Sequence, residues 1–292
     1  WQHVINSAQR NGLRGLQGWE ITRMTSLGET YAPPCPAPIT ASRSPSIPLP
    51  VDACDCHFHI IGDATNYPFT AHRSYTPPAA TLEQYQQLQQ QLGLSRGVIV
   101  QPRVYGYDNR LVLDTLKQGG DQFRGVVVIS EHTSDTELWN MHALGVRGVR
   151  INLLYKSGVE VSDVTSLAYK IAPMGWHLQL LVDTSEFADL YEALAYLPVD
   201  VVVDHLGHMP TTIGTEHPGF QDLVRLVQEN KAWIKLSGAY RFTSLQHSPY
   251  EDVTPFAKTL IATNPERILW ATDWPHVCIT TPMPDDSDLL EE

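Results

Sequence analysis

The sequence lacks the features that mark several protein classes. It has no run of 18 apolar residues and no basic stretch leading into an apolar core at its start, so neither a membrane span nor a secretory leader is read from it. Cysteine is scarce: four in 292 residues exclude a disulfide scaffold, and Cys54 and Cys56 have neither zinc-ribbon nor redox-motif spacing. Basic residues are outnumbered, 20 against 32 acidic, and the net charge of −12 argues against a nucleic-acid backbone or an anionic membrane as partner. No glycine-rich phosphate loop follows the first apolar strand, which argues against an open nucleotide-binding sheet. The expectation is a cytoplasmic protein in a reducing setting. No feature of the sequence sets its oligomeric state.

What is present divides at about residue 50. Residues 1–50 carry Pro33, Pro34, Pro36, Pro38, Pro45, Pro48 and Pro50 among Ser, Thr and Ala, the composition of an extension or linker. From Val51 to Glu292 the pattern alternates. Apolar strands are expected near 54–60, 95–102, 124–130, 146–153, 176–183, 199–206, 232–238 and 268–274. Helical segments lie between them at 81–92, 109–119, 134–144, 161–174, 185–197, 218–229 and 249–263, several opened by Thr, Asn, Ser or Pro. Strands and helices alternating in this number predict an α/β fold, a (β/α)8 TIM barrel. Residues 285–292 only begin an eighth helix, so an incomplete last helix is expected.

In such a barrel, chemistry gathers at the C-terminal strand ends. His57 and His59 stand two apart at the end of the first strand, His205 ends the sixth and Asp273 the eighth. Alternation predicts that Asp55, His57 and His59 face the lumen while Cys56, Phe58 and Ile60 face the helices. Gly148, Arg150 and Asn152 are predicted inward on the fourth strand, and a charged Arg150 there needs an anionic partner. Trp270, Thr272 and Trp274 alternate away from Asp273. The same rule gives Asp204 the opposite direction to its neighbour His205 and no evident place, and it assigns no role to His208 or His276.

These residues resemble the amidohydrolase superfamily, and 51–292 as a whole resembles its lactonase branch. The resemblance is carried by His57-Phe58-His59, Val98-Ile99-Val100-Gln101-Pro102, Asp108-Asn109-Arg110, Arg147-Gly148-Val149-Arg150-Ile151-Asn152 and Trp270-Ala271-Thr272-Asp273-Trp274-Pro275. It implies hydrolysis of a small carboxylated lactone without a metal cofactor. The chain departs from metal-dependent members, which add a strand-4 lysine or a strand-5 histidine. Here strand 4 ends in Arg150 and Asn152, and His177 sits at the wrong end of strand 5, which argues against a binuclear centre. His57, His59, His205 and Asp273 would suffice for one zinc with an open position, the alternative.

Without a metal, lactone hydrolysis needs a base for water and donors for the carbonyl oxygen. Asp273 is the candidate base, with His57, His59 and His205 as the donors. Arg103, Arg150, Lys156 and Arg241 follow or end strands at the same rim and suit a small anionic lactone. Tyr75 matches the substrate-contacting tyrosine that the resemblance implies. Two further readings remain open at this point: a zinc-dependent decarboxylase or hydrolase of the same superfamily, and a non-catalytic incomplete barrel acting as a binding module.

Overall fold

The structure is a computed structural model that describes residues 32–154, 161–187, 189–279 and 281–291, with backbone alone for 161–163. Eight parallel strands follow one another in sequence order: β1 Cys54–Phe58, β2 Arg96–Val100, β3 Phe123–Val127, β4 Val146–Asn152, β5 His177–Leu181, β6 Val201–Val203, β7 Ala232–Leu236 and β8 Ile268–Trp270. Between and after them run α1 Leu82–Leu92, α2 Arg110–Gly119, α3 Asp135–Ala143, α4 Val161–Ile171, α5 Leu190–Leu194, α6 Pro218–Gln228, α7 Thr254–Thr263 and α8 Asp286–Leu289. This is the expected (β/α)8 barrel. The closing helix is a single turn of four residues.

Local sequence explains these elements. Thr81 and Ser134 each form a capping box, Thr81 with Gln84 and Ser134 with Glu137, which satisfies the first free N–H groups of α1 and α3. Leu82, Tyr85, Leu88 and Leu92 recur at helical spacing and bury one face of α1 on the strands. The strands are short and apolar, as fits a parallel sheet covered by helices.

The strands end earlier than sequence patterning indicates, and this matters for the site. β6 stops at Val203, and the backbone turns left-handed at His205 and Leu206 (φ 51° and 52°). β8 stops at Trp270, and Asp273 is left-handed as well (φ 62°). The seam beside β1 is closed by residues beyond β8: the Asp273 N–H donates to the His57 carbonyl (2.9 Å) and the His59 N–H to the Trp274 carbonyl (2.8 Å).

The direction predicted for Asp55 is corrected. The β1–β2 register shifts between Asp55 and Phe58, and this bulge reverses the alternation. The Asp55 carboxylate accepts from Tyr85 OH of α1 (3.0 Å), Thr272 N (3.0 Å), Thr272 Oγ1 (2.6 Å) and the His57 N–H (3.0 Å). It therefore fastens the seam instead of lining the lumen. Thr272 and Trp274 point away from the lumen as expected; the Trp274 and Tyr85 rings lie 5.7 Å apart.

Residues 32–50 lie across the barrel. Cys35 N donates to the Thr76 carbonyl (2.9 Å) and Thr76 N to the Pro33 carbonyl (2.7 Å), beside the first βα loop. Further on, Arg43 pairs with Asp288 and with Glu291 (2.8 Å), and Ser42 N donates to Asp285 (3.1 Å). The stretch thus links the loop after β1 to α8.

Gly97 of β2 faces the stacked rings of Phe58 and Tyr85, whose centroids are 3.4 Å apart. A Cβ there would stand 2.7 Å from the Phe58 ring and 2.9 Å from Tyr85 Oη. Gly97→Ala is expected to destabilise the barrel by about 1–3 kcal/mol through overpacking, measured by urea unfolding; an unchanged midpoint would contradict this packing.

Candidate active site

Two devices bring the site together: the β1 bulge and the left-handed ends of β6 and β8. His57, His205 and Asp273 are fully or almost fully buried, as is His59. Their inner atoms converge: Asp273 Oδ1 lies 3.8 Å from His57 Nε2, 3.9 Å from His59 Nε2 and 3.8 Å from His205 Nε2. That oxygen has no hydrogen-bond partner among the described residues. The other oxygen, Oδ2, accepts from Tyr240 OH (2.7 Å) and Arg241 Nε (2.5 Å).

Burial alone would raise the Asp273 carboxyl, but the adjacent Arg241 guanidinium outweighs it and holds the group well below the usual carboxylate range. It is an ionised carboxylate with one oxygen engaged and one aimed at the cavity.

The histidines are neutral. Burial pushes His59 down to about 3 and His205 to about 4, and it pushes His57 well down with Lys235 adding to the effect. Neutral rings have assignable protons. His59 Nδ1 faces the Val100 carbonyl at 2.7 Å, so it carries the proton and leaves Nε2 as an acceptor. His57 Nε2 lies 3.3 Å from that acceptor, while His57 Nδ1 lies 3.2 Å from both Lys235 Nζ and Asp204 Oδ1: a proton on Nε2 serves His59 and lets Nδ1 accept from Lys235, and a proton on Nδ1 serves Asp204. His205 Nδ1 is held by Ser237 Oγ at 2.8 Å. When Ser237 donates to it, His205 Nε2–H is a donor toward the cavity. Gly238, left-handed after β7, gives His205 its room: a Cβ there would come 3.0 Å from Nδ1.

Beneath the histidines lies a charge cluster that sequence reasoning missed. Asp204 Oδ2 accepts from Arg150 Nε and Gln179 Nε2, each at 3.1 Å, and Oδ1 lies 3.2 Å from Lys235 Nζ. Alternation fails at Asp204 because the strand has already ended, so Asp204 and His205 both turn inward. The anionic partner expected for Arg150 is Asp204. Burial disfavours the Asp204 charge, but Lys235 and Arg150 outweigh it and keep the carboxyl well below its ordinary range. Lys235 carried a signal: it is the one charged residue in the apolar strand Ala232–Leu236.

Above the Asp273 carboxylate opens a cavity with about 440 Å³ of empty space, part of it open to solvent. His59, Tyr75, Arg103, Arg150, His205, Arg241 and Asp273 all line it. Asn152, His208 and Cys278 line it too. His57 lies below and meets the cavity through His59. Lys156 lies outside the described residues.

The ligand-type atoms of His57, His59 and Asp273 lie within 4.8 Å of one another, as do those of His57, Asp204 and His205. The donor types suit one zinc. The three cations Arg150, Lys235 and Arg241 that already surround the position weigh against it.

A barrel with histidines after β1 and β6 and an aspartate after β8 is one arrangement found in a known family, and the sequence profile of the amidohydrolase family matches residues 54–291. The chain belongs to the amidohydrolase family. This amidohydrolase is 34% identical over 257 residues to the 2-pyrone-4,6-dicarboxylate hydrolase of Comamonas testosteroni, covering 85% of this chain and 84% of that one. It is 35% identical over 266 residues to the 4-sulfomuconolactone hydrolase of Rhizobium radiobacter, covering 88% of each. An apo crystal structure from Agrobacterium tumefaciens superposes with a TM-score of 0.78 at 29% identity, covering 85% of this chain and 89% of that one. The curated relatives thus act on lactones. No helix among the described residues is long and apolar enough to cross a membrane.

The neutral histidines set an acid limit on stability. Their folded values lie below the ordinary value of about 6.5, so the unfolded chain binds more protons as pH falls from about 6.5 to about 4. Asp55, raised to about 6 by burial, works in the opposite direction but is a single group against six depressed histidines: His57, His59, His142, His177, His205 and His208. Tm followed by circular dichroism is expected to fall steadily across this window. A flat Tm would mean that these rings are not buried neutral.

Proposed function

We propose that this amidohydrolase opens a small carboxylated lactone by metal-independent hydrolysis. The observation that carries the reading is Asp273 Oδ1, a buried, ionised oxygen without a hydrogen-bond partner among the described residues, on the floor of a cavity lined by Arg103, Arg150 and Arg241. In this reading Oδ1 takes a proton from water as the water oxygen bonds to the lactone carbonyl carbon. His205 Nε2–H donates to the carbonyl oxygen as it gains negative charge. The ring C–O bond then breaks, and Asp273 returns the proton to the departing ring oxygen, giving an alcohol or enol and a carboxylic acid that releases its proton to solvent. His59, its ring fixed by Nδ1–H on the Val100 carbonyl, lines the cavity beside the water, and with the proton on His57 Nε2 its own Nε2 lone pair is taken by His57.

The substrate's charge is inferred from the cavity. Arg150 and Arg241 each spend Nε on an internal carboxylate. Both still line the cavity beside Arg103 and Tyr75, a lining suited to one or two carboxylates. Kinship with hydrolases of a pyrone dicarboxylate and of a sulfomuconolactone supports this substrate class.

A second reading draws on the convergence of His57, His59, His205 and Asp273: together they would hold one zinc, which would supply a Lewis acid for the carbonyl. It requires His57 to carry its proton on Nδ1 and donate to Asp204 at 3.2 Å.

Asp273→Asn is expected to lower kcat by about 10²–10⁴-fold with the fold intact, the span of general-base catalysis. Pyrone dicarboxylates, sulfonated muconolactones and aldonolactones are to be assayed with and without chelator, alongside metal analysis of the purified protein. Wild-type rates in Asp273→Asn would refute the base. Loss of turnover with chelator, restored by zinc, would favour the second reading.

A further inference from the structure

Behind Asp273 runs a buried chain of polar groups that the hydrolysis above does not use. Tyr240 OH lies 2.7 Å from Asp273 Oδ2 and 2.9 Å from His276 Nδ1. His276 Nε2 in turn lies 3.2 Å from Asp286 Oδ1, a residue of α8. Tyr240, His276 and Asp286 are each at most 2% exposed. Neither carboxylate oxygen of Asp286 has a hydrogen-bond partner among the described residues, nor does His276 Nε2; the 3.2 Å between Nε2 and Oδ1 is an ion-pair distance without hydrogen-bond alignment. A buried carboxylate without a donor is costly, and the facing His276 Nε2, itself without a partner, is the group placed to supply one.

A proton held between these two groups sets the direction of the chain. Tyr240 has one hydroxyl hydrogen and two neighbours. Donating it to His276 would leave its oxygen 2.7 Å from Asp273 Oδ2 with no hydrogen between two electron-rich atoms. With a proton shared between Asp286 and His276 Nε2, the other ring nitrogen can keep its own hydrogen, and Nδ1–H donates to the tyrosine oxygen. The tyrosine hydroxyl then donates to Oδ2, and from His276 Nδ1 to Asp273 Oδ2 each donor faces an acceptor.

We infer that Asp286 and His276 are positioning residues for the base. They aim the Tyr240 hydroxyl at Asp273 Oδ2, so that Oδ2 is occupied by Tyr240 and Arg241 and Oδ1 is the oxygen presented to water. The inference rests on the role proposed above for Asp273. The short helix α8 thereby acquires a role in the site. Arg43 and Ser42 hold this turn from the 32–50 stretch, and the turn carries Asp286 to the back of the site.

The full chain is tested as wild type, Asp286→Leu, Asp286→Asn, Tyr240→Phe and Tyr240→Phe with Asp286→Leu. Asp286→Leu is expected to lower kcat by about 10–100-fold with KM unchanged, as loss of a group supporting a catalytic residue does. Asp286→Asn is expected to recover most of that loss, because its amide N–H donates to Nε2 and leaves the proton on Nδ1. In the Tyr240→Phe background, Asp286→Leu should have no further effect on kcat. Wild-type kcat in folded Asp286→Leu, equal damage from Asn and Leu, or additive losses would overturn the inference. If Asp286→Leu fails to fold, or the wild type opens no lactone, imidazole ¹⁵N spectra of the wild type decide. A proton-bearing His276 Nδ1 supports the inference and a bare one overturns it, whereas absence of turnover counts against the lactone reading alone.

Discussion

The Asp55 carboxylate is the constraint on which the rest of this barrel depends. It accepts from the backbone of its own strand, from α1 and twice from Thr272 across the seam. The last strand is too short to close the cylinder by itself, so closure falls to the residues that follow it. Fixing Thr272 sets the next residue's N–H onto the His57 carbonyl. One buried carboxylate thereby joins the first strand, the first helix and the exit of the last strand, and in doing so brings Asp273 against the β1 histidines.

Above that seam the site is organised by charge. Asp204 and Asp273 face Arg150, Lys235 and Arg241 at ion-pair distances, while the imidazoles between them are uncharged. Ion pairs buried this deeply contribute less to stability than to specifying one arrangement, because desolvation offsets much of their attraction. Three cations against two carboxylates leave a local positive surplus. A chain with a net charge of −12 thus presents an electropositive floor where an anion would enter.

Much of this was legible in the sequence. Eight apolar runs alternating with amphipathic segments define the barrel, and the chemistry-bearing residues sit where such a barrel concentrates function. Cavity-lining positions such as Arg103 and Tyr75 were also readable. Alternation failed where the backbone leaves the extended region: at the β1 bulge, which sends Asp55 outward, and beyond Val203, where Asp204 and His205 both turn in. Periodicity has no term for a bulge or a left-handed residue. Lys235 was visible as a lone charge in an apolar strand, but its partner Asp204 had been assigned the opposite direction. The His276–Asp286 link joins a loop to a helix of one turn, too short for any pattern to mark.

His205 and Asp273 both hold positive φ, a region that L-residues enter at a cost of about 1–3 kcal/mol and glycine enters freely. The conformations that turn these side chains into the lumen are therefore disfavoured by the residues that adopt them. Were selection on turnover relaxed in some lineage, glycine at either position would give a hardier and inert barrel, and drift would favour it. Persistence of a histidine and an aspartate at two such unfavourable corners would be a sign that catalysis is still maintained.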